Sequence, residues 1–264
     1  MAYKATYFCI SHIGKCRKVN QDNFICNGEF MHHQNKGTEK VLKGEVEVTS
    51  MPLFGIFDGM GGEECGEMAA YLAAEEASLL KPDGEPESML SAYCQRANQS
   101  ICKYTKEQKL TSMGTTAAML WLHKKKIYLC NIGDSKIFQL SKRELQQISF
   151  DHVSIAVSGK KPPLTQNLGI PEEELLISPY FASGEYQKGD VYLICSDGLT
   201  DMVEEEEIAR ILCRDDRMAS AEELLQKALD NGGKDNVSFI VLYIEKQRKL
   251  FRFGKGEKEC QSKR

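Results

Sequence analysis

No stretch of this 264-residue chain is apolar for long enough to cross a bilayer as a helix, which takes about twenty consecutive apolar residues. The opening MAYKATYFCISHIGK has no uninterrupted apolar core behind a basic start, so no signal peptide is expected. The ten cysteines are scattered as singlets, with no C-x-x-C and no histidines at zinc-finger spacing. This argues against structural zinc and disulfides, and for reduced thiols in a cytoplasmic protein. A basic excess is also missing: 34 Lys and Arg face 38 Asp and Glu, a net charge of −4, and nucleic acid is not an expected partner. There is no Gly-Lys-Ser/Thr for a P-loop and no G-x-S-x-G nucleophile elbow. Internal repeats and composition breaks are absent too. One domain over residues 1–246 is expected, followed by a basic, polar and flexible tail over 247–264.

What the chain does have is a recurring device. Leu53–Gly62, LFGIFDGMGG, is a short apolar run that stops at Asp58-Gly59 and enters a glycine-rich turn. Runs of this length with Phe and Ile predict a buried strand, with the Asp held at the rim of a sheet. NIGDS at Asn131–Ser135 and ICSDG at Ile194–Gly198 repeat the pattern, and GGKDNVSFIVL at Gly232–Leu242 mirrors it with Asp235 just before the run. Any single Asp-Gly is more often a turn residue bonded to its own backbone; the repetition is what points to function.

Between these runs the pattern predicts strands over Lys4–Ile10, Gly114–Leu122, Lys126–Ile132, Lys136–Leu140, Arg143–Ser149, Leu175–Ser178, Val191–Cys195 and Val237–Ile244. Ser11–Phe24 reads as a polar loop returning into a strand. Glu29–Ser50, which holds His32-His33, reads as a hairpin or solvated loop. Helices are predicted after the glycine turn (with Glu63 and Glu64 in the first turn), over Ser88–Lys109, over Glu204–Cys213 and over Ser220–Asp230. The last of these opens on Ser220-Ala-Glu-Glu223, a capping-box pattern. Helices fall in pairs between groups of strands, which suits a layered α+β architecture.

Asp22, Asp58, Asp134, Asp197 and Asp235 all lie at predicted strand ends or the adjoining turns. Carboxylates crowded at one sheet edge repel one another unless a cation neutralises them. All-oxygen donors favour Mg²⁺ or Mn²⁺ over zinc. Two such ions can activate a water and offset charge on a phosphoryl oxygen. His12, His123 and His152 read as surface or turn histidines, and Cys195, inside an apolar run, as a small core residue.

SHIGKCRKVNQD, FDGMGG followed by GEMAA, GTTA, NIGDS, Asp151-His152, LTQNLG, GDVYLICSDGL and GGKDN stand in an order that resembles the metal-dependent serine/threonine protein phosphatases of type 2C, in their bacterial form. The resemblance implies a four-layer αββα sandwich: two antiparallel sheets flanked by paired helices, with the metal site at one end. It implies that Asp58 bridges two metals and that Gly59 lends its backbone carbonyl. Asp197 and Asp235 would be ligands of the first metal, and Asp22 would serve the second-metal side, largely through bound water. Asp134 would serve a third ion, and Arg17 would hold the substrate phosphate. The implied reaction is hydrolysis of phosphoserine or phosphothreonine in proteins by direct attack of a metal-bridging hydroxide. The expected protein is a cytoplasmic monomer with a cognate serine/threonine kinase among its partners.

The chain departs from the family pattern in places. Met60 stands where many eukaryotic members have a His proposed as general acid, Gln21 where Glu is frequent, Lys136 for a common Arg and Glu63 for a common His. The segment 153–163 is short, implying a reduced flap, a more open site and weakened binding of a third metal. A catalytically weak phosphoprotein-binding scaffold of the same fold is the alternative, and hydrolysis of small phosphoesters a third reading.

Overall fold

The computed structural model describes residues 3–60, 65–155 and 162–246. In chain order its strands are β1 (Tyr3–His12), β2 (Asp22–Cys26), β3 (Leu42–Glu47) and β4 (Leu53–Met60), then helices α1 (Gly66–Ser78) and α2 (Pro86–Gln108). There follow β5 (Gly114–Thr115), β6 (Ala117–His123), β7 (Lys126–Ile132), β8 (Lys136–Ser141), β9 (Glu144–Gln147), β10 (Tyr180–Glu185) and β11 (Val191–Cys195). The chain then forms a single turn of helix, α3 (Asp197–Thr200), then α4 (Glu205–Leu212), α5 (Arg217–Asp230) and β12 (Val237–Lys246).

One sheet runs β3-β1-β12-β11-β8-β9 and the other β10-β7-β6-β4-β2, with β5 paired to β4. All these pairings are antiparallel. Alternation along each central strand divides its side chains between two layers. In β12, Ile240, Leu242 and Ile244 face the other sheet, where they meet Phe54 and Ile56 of β4 and Leu120 of β6. Phe239, Val241 and Tyr243 point outward onto Ile208, Ile211 and Leu224 of α4 and α5. The second sheet does the same: Phe57, Met119 and Trp121 pack outward on α1 and α2. Strands covered on both faces need apolar residues throughout, which is why they read as unbroken runs. The buried face of α1 is Ala69, Ala70, Ala73, Ala74 and Ala77, small enough for the helix to lie close on its sheet. Tyr93 of α2, fully buried, donates its hydroxyl to the Ala73 carbonyl at 3.0 Å and locks the two helices together. The expected αββα sandwich is the observed one.

Several local expectations are corrected. The strand expected at Leu175–Ser178 lies instead at Tyr180–Glu185, because Glu174 and Leu175 donate back to the Pro171 carbonyl in a turn. Ser220 does not cap α5: the helix starts at Arg217, and Asp216 accepts from the Ala219 N–H at 3.1 Å. Ser220 is instead buried inside the helix, donating to the carbonyls of Ile211 and Asp216. The first helix is described from Gly66, with Cys65 before it at φ 59°; Glu63 and Glu64 lie outside the described residues. Glu29–Ser50 contributes a real edge strand, β3. The nine cysteines among the described residues are free thiols, and burial pushes that of Cys195 up to about 12. The expected tail, 247–264, is outside the described residues.

Candidate metal centre

The site is built where strands end. The β2–β4 register sets Asp22 directly opposite Asp58. The Asp58 backbone is fastened from the other side: its N–H donates to Thr116 Oγ1 at 3.0 Å, and its carbonyl accepts from the Thr116 N–H at 2.9 Å and from Thr115 Oγ1 at 3.0 Å. Thr116 Oγ1 in turn meets Ser135 Oγ at 2.6 Å, so the GTTA and NIGDS motifs brace one another behind the carboxylate. Gly59 donates to the Gln21 carbonyl at 3.1 Å. A Cβ on Gly59 would lie 2.1 Å from the Gly66 carbonyl oxygen, so only glycine lets α1 approach β4 this closely.

The opposite wall comes from the other sheet. Asp197 opens α3, and Asp235 immediately precedes Asn236 and β12. Gly198 brings them together, since a Cβ there would fall 1.9 Å from the Asn236 carbonyl oxygen. Asn236, 4 % exposed, is the clamp of this wall. Its Oδ1 accepts from the Gln21 N–H at 2.8 Å, and its Nδ2 donates to the carbonyls of Ile13 at 2.9 Å and Val19 at 3.0 Å. The clamp pins both ends of the loop carrying Arg17, whose guanidinium donates to Asp235 Oδ2 at 2.6 Å. Sequence reasoning assigned Asn236 no role; its place directly after Asp235 in GGKDN was the available signal.

Asp22 is 1 % exposed, and its Oδ2 accepts from Ser196 Oγ at 2.9 Å. Its Oδ1 is buried and takes no hydrogen bond among the described residues. Burial raises the Asp22 carboxyl to about 7, opposed by hydrogen bonds from Ser238 and Ser196 and reinforced by the charge of Asp235. Arg17 feels the carboxylates of Asp235, Asp58 and Asp22 together. The structure therefore gathers Asp22, Asp58, Asp235 and Arg17 at one end of the sandwich, with Asp197 on the adjoining turn. Asp134, 9 % exposed, sits on the β7–β8 turn and joins the group through Ser135 and Thr116.

Among the described residues, no three carboxylate, histidine or cysteine side chains close tightly enough to cage an ion by themselves. Unneutralised carboxylates repel, and Arg17 takes up the charge of Asp235. The donor set still fits a hard divalent cation: it is all oxygen, and it contains a buried oxygen lacking a hydrogen bond, which a cation would satisfy.

His152 is not on the surface: it is buried, and its Nδ1 accepts from the Gly133 N–H at 3.3 Å, holding the turn beside Asp134. His12 Nδ1 accepts from Gly14 N–H at 2.9 Å. His123 closes β6, the far end of the strand that starts beside Thr116. Of segment 153–163, residues 156–161 lie outside the described residues. Its base is a narrow ladder in which Ser154 donates to the Pro163 carbonyl and Thr165 to that of His152.

A set of oxygen donors beside the Arg17 guanidinium, at the end of a double sheet, is the arrangement expected of a metal-dependent phosphoester hydrolase. The protein phosphatase 2C family model matches residues 46–231, a span that contains Asp58, Asp134 and Asp197 and excludes Asp22 and Asp235. The serine/threonine phosphatase Stp of Listeria monocytogenes is 27 % identical over 249 residues, 87 % of this chain and 92 % of that protein. PstP of Mycobacterium tuberculosis is 32 % identical over 203 residues, 72 % of this chain and 40 % of PstP. The crystal structure of the PstP catalytic domain in complex with two manganese ions superposes with a TM-score of 0.74 at 26 % identity, covering 92 % of this chain and all of that one. A bacterial serine phosphatase structure superposes at 0.76, also 26 % identical, over 92 % and 98 % of the two chains. The chain belongs to the protein phosphatase 2C family and is a serine/threonine protein phosphatase. No helix among the described residues is long and apolar enough to cross a membrane.

Proposed function

We propose that the Asp58 centre hydrolyses phosphoserine and phosphothreonine in proteins by a single in-line displacement without a phosphoenzyme. Asp58 would stand between two ions, Mn²⁺ or Mg²⁺. Asp197 and Asp235 would help hold the first ion and Asp22 would serve the second, the Gly59 backbone carbonyl would be a further donor, and Asp134 would be the donor for a third. When bound, such ions lower the pKa of water and offset negative charge on the phosphoryl oxygens. The chain's own residues do the rest. The Asp58 backbone is fastened by Thr115 and Thr116, which fixes the point from which its carboxylate projects. Arg17 presents a bidentate fork that suits the non-bridging phosphate oxygens, and Asn236 fixes the loop that aims it. Met60 has no proton to give, so protonation of the leaving oxygen falls to water in the site. Residues 1–246 act as one catalytic unit, a cytoplasmic monomer opposing a serine/threonine kinase.

The observation that carries the reading is the pairing of Asp22 with Asp58 across β2–β4, with Asp235 and Arg17 at the same sheet end. The scaffold reading draws on the Arg17–Asp235 ion pair, which competes with a cation for Asp235. One experiment separates the two: phosphate release from a phosphothreonine peptide with and without Mn²⁺, for the wild type and Asp58→Asn. Mn²⁺-dependent turnover abolished by the substitution is expected; a folded, Mn²⁺-loaded wild type without turnover would leave the scaffold.

A further inference from the structure

A groove of about 910 Å³ runs away from the metal centre between α2 and the segment 167–174. Its inner end is Met60 and Gly114, which pair across β4–β5, one position beyond the Gly59–Thr115 pair and two along β4 from Asp58. At about 3.4 Å per residue of strand, this inner end lies within about two residues of the Asp58 carboxylate. Met60, Met113, Ile170 and Pro171 make its lining partly apolar.

The walls are built, not loose. Asn98 of α2 is buried; its Oδ1 accepts from the N–H groups of Gly169 at 2.7 Å and Ile170 at 3.1 Å, and its Nδ2 donates to the Ile170 carbonyl at 2.8 Å. Thr115 and Leu168 exchange two backbone hydrogen bonds, and Gly169, at φ 105°, lies against the Met113 carbonyl, where a Cβ would come within 2.4 Å. Beyond this clamp the Pro171 turn presents Glu172, Glu173 and Glu174 along one rim. Gln99 donates to Glu172 at 3.5 Å, and no lysine or arginine among the described residues pairs with any of the three. Across the groove, Lys103 already faces Glu107 at 3.9 Å, and Lys106 lies in the last turn of α2, where it offsets the negative end of the helix dipole. The three carboxylates outnumber the two ammonium groups that line the groove, so its net charge is negative.

The geometry points to a substrate subsite. The groove takes the stretch of phosphoprotein flanking the phosphoresidue and favours a lysine or arginine a few residues away, which meets Glu172–Glu174 while apolar neighbours pack on Ile170 and Pro171. This rests on the phosphatase reading above and adds to it a preference for basic flanks. An exposed ion pair is worth a factor of about 1.5 to 5, so two such contacts near the middle of that range amount to roughly fivefold to tenfold.

The test is kcat/KM in Mn²⁺ on matched phosphothreonine peptides bearing lysines or glutamates two to four residues to either side, with p-nitrophenyl phosphate as a substrate lacking flanks. The wild type should favour the lysine peptides by about fivefold to tenfold, through KM, with the preference shrinking at high salt. The triple variant Glu172→Lys, Glu173→Lys, Glu174→Lys should reverse the preference. Ser112→Trp, a bulky residue on the exposed lining, should raise KM for every peptide. Both variants should hydrolyse p-nitrophenyl phosphate like the wild type. Equal treatment of the two peptide classes by the wild type, or a preference that survives charge reversal, overturns the subsite. If the wild type cleaves neither p-nitrophenyl phosphate nor any peptide, the phosphatase reading itself fails and the subsite falls with it.

Discussion

Asn236→Ala tests whether the active-site loop is held by one side chain. The substitution removes three hydrogen bonds, from Gln21 N–H and to the carbonyls of Ile13 and Val19, all at 2.8–3.0 Å around a residue that is 4 % exposed. At about 1 kcal/mol net for each bond, the loss is about 3 kcal/mol, and more if the stranded backbone groups find no water. In a domain of this size 1 kcal/mol moves the melting temperature by about 2–4 °C, so a fall of about 6–12 °C is expected. The functional effect should be separable from the thermal one. Ile13, Val19 and Gln21 bracket Arg17, so freeing them lets the guanidinium wander. At 20 °C, where the variant is still folded, KM for a phosphopeptide should rise more than kcat falls. The assays are thermal unfolding by circular dichroism in chelator and steady-state kinetics in Mn²⁺. A melting temperature within 2 °C of the wild type together with an unchanged KM would refute the clamp.

Two further outcomes are expected. The Asp22 carboxyl is raised to about 7 in the fold, chiefly by burial, against an ordinary value of 3.8. Its contribution to the stability of the metal-free protein is therefore fully present below 3.8 and is lost as pH rises to about 7. Asp22→Asn, which keeps an acceptor for Ser196 and carries no charge, should gain stability over the wild type progressively between pH 4 and 8 in chelator. Parallel urea-unfolding curves across that range would contradict this. Gly198→Ala drives a methyl to 1.9 Å from the Asn236 carbonyl, so α3 must shift; a loss of at least about 2 kcal/mol and of most Mn²⁺-dependent activity is expected, and wild-type titration of Mn²⁺ by calorimetry would count against it.

The sequence alone carried the layers and the rim. Strands buried on both faces must be apolar throughout, so β4, β11 and β12 were visible as unbroken runs, and the Asp at each run's edge marked the sheet end. The strand β10 was not visible, because YFASGE has neither a continuous apolar run nor clear alternation, and its place is set by pairing with β7. The start of α5 was misread at Ser220 because a capping box is a local pattern, while burial of Ser220 against Ile211 is a tertiary fact. The site divides the same way. Asp22, Asp58, Asp197 and Asp235 could be named one by one from their own neighbours in sequence. That Asp22 faces Asp58, that Asn236 ties residues 13 to 21 more than two hundred positions away, and that residues 60, 98–114 and 167–174 enclose one groove were decided only in three dimensions. Local sequence determines which backbone a segment favours and which face it buries. Which distant segments share an edge depends on sheet register and on glycines at closest approach, and these exist only once the two sheets have packed.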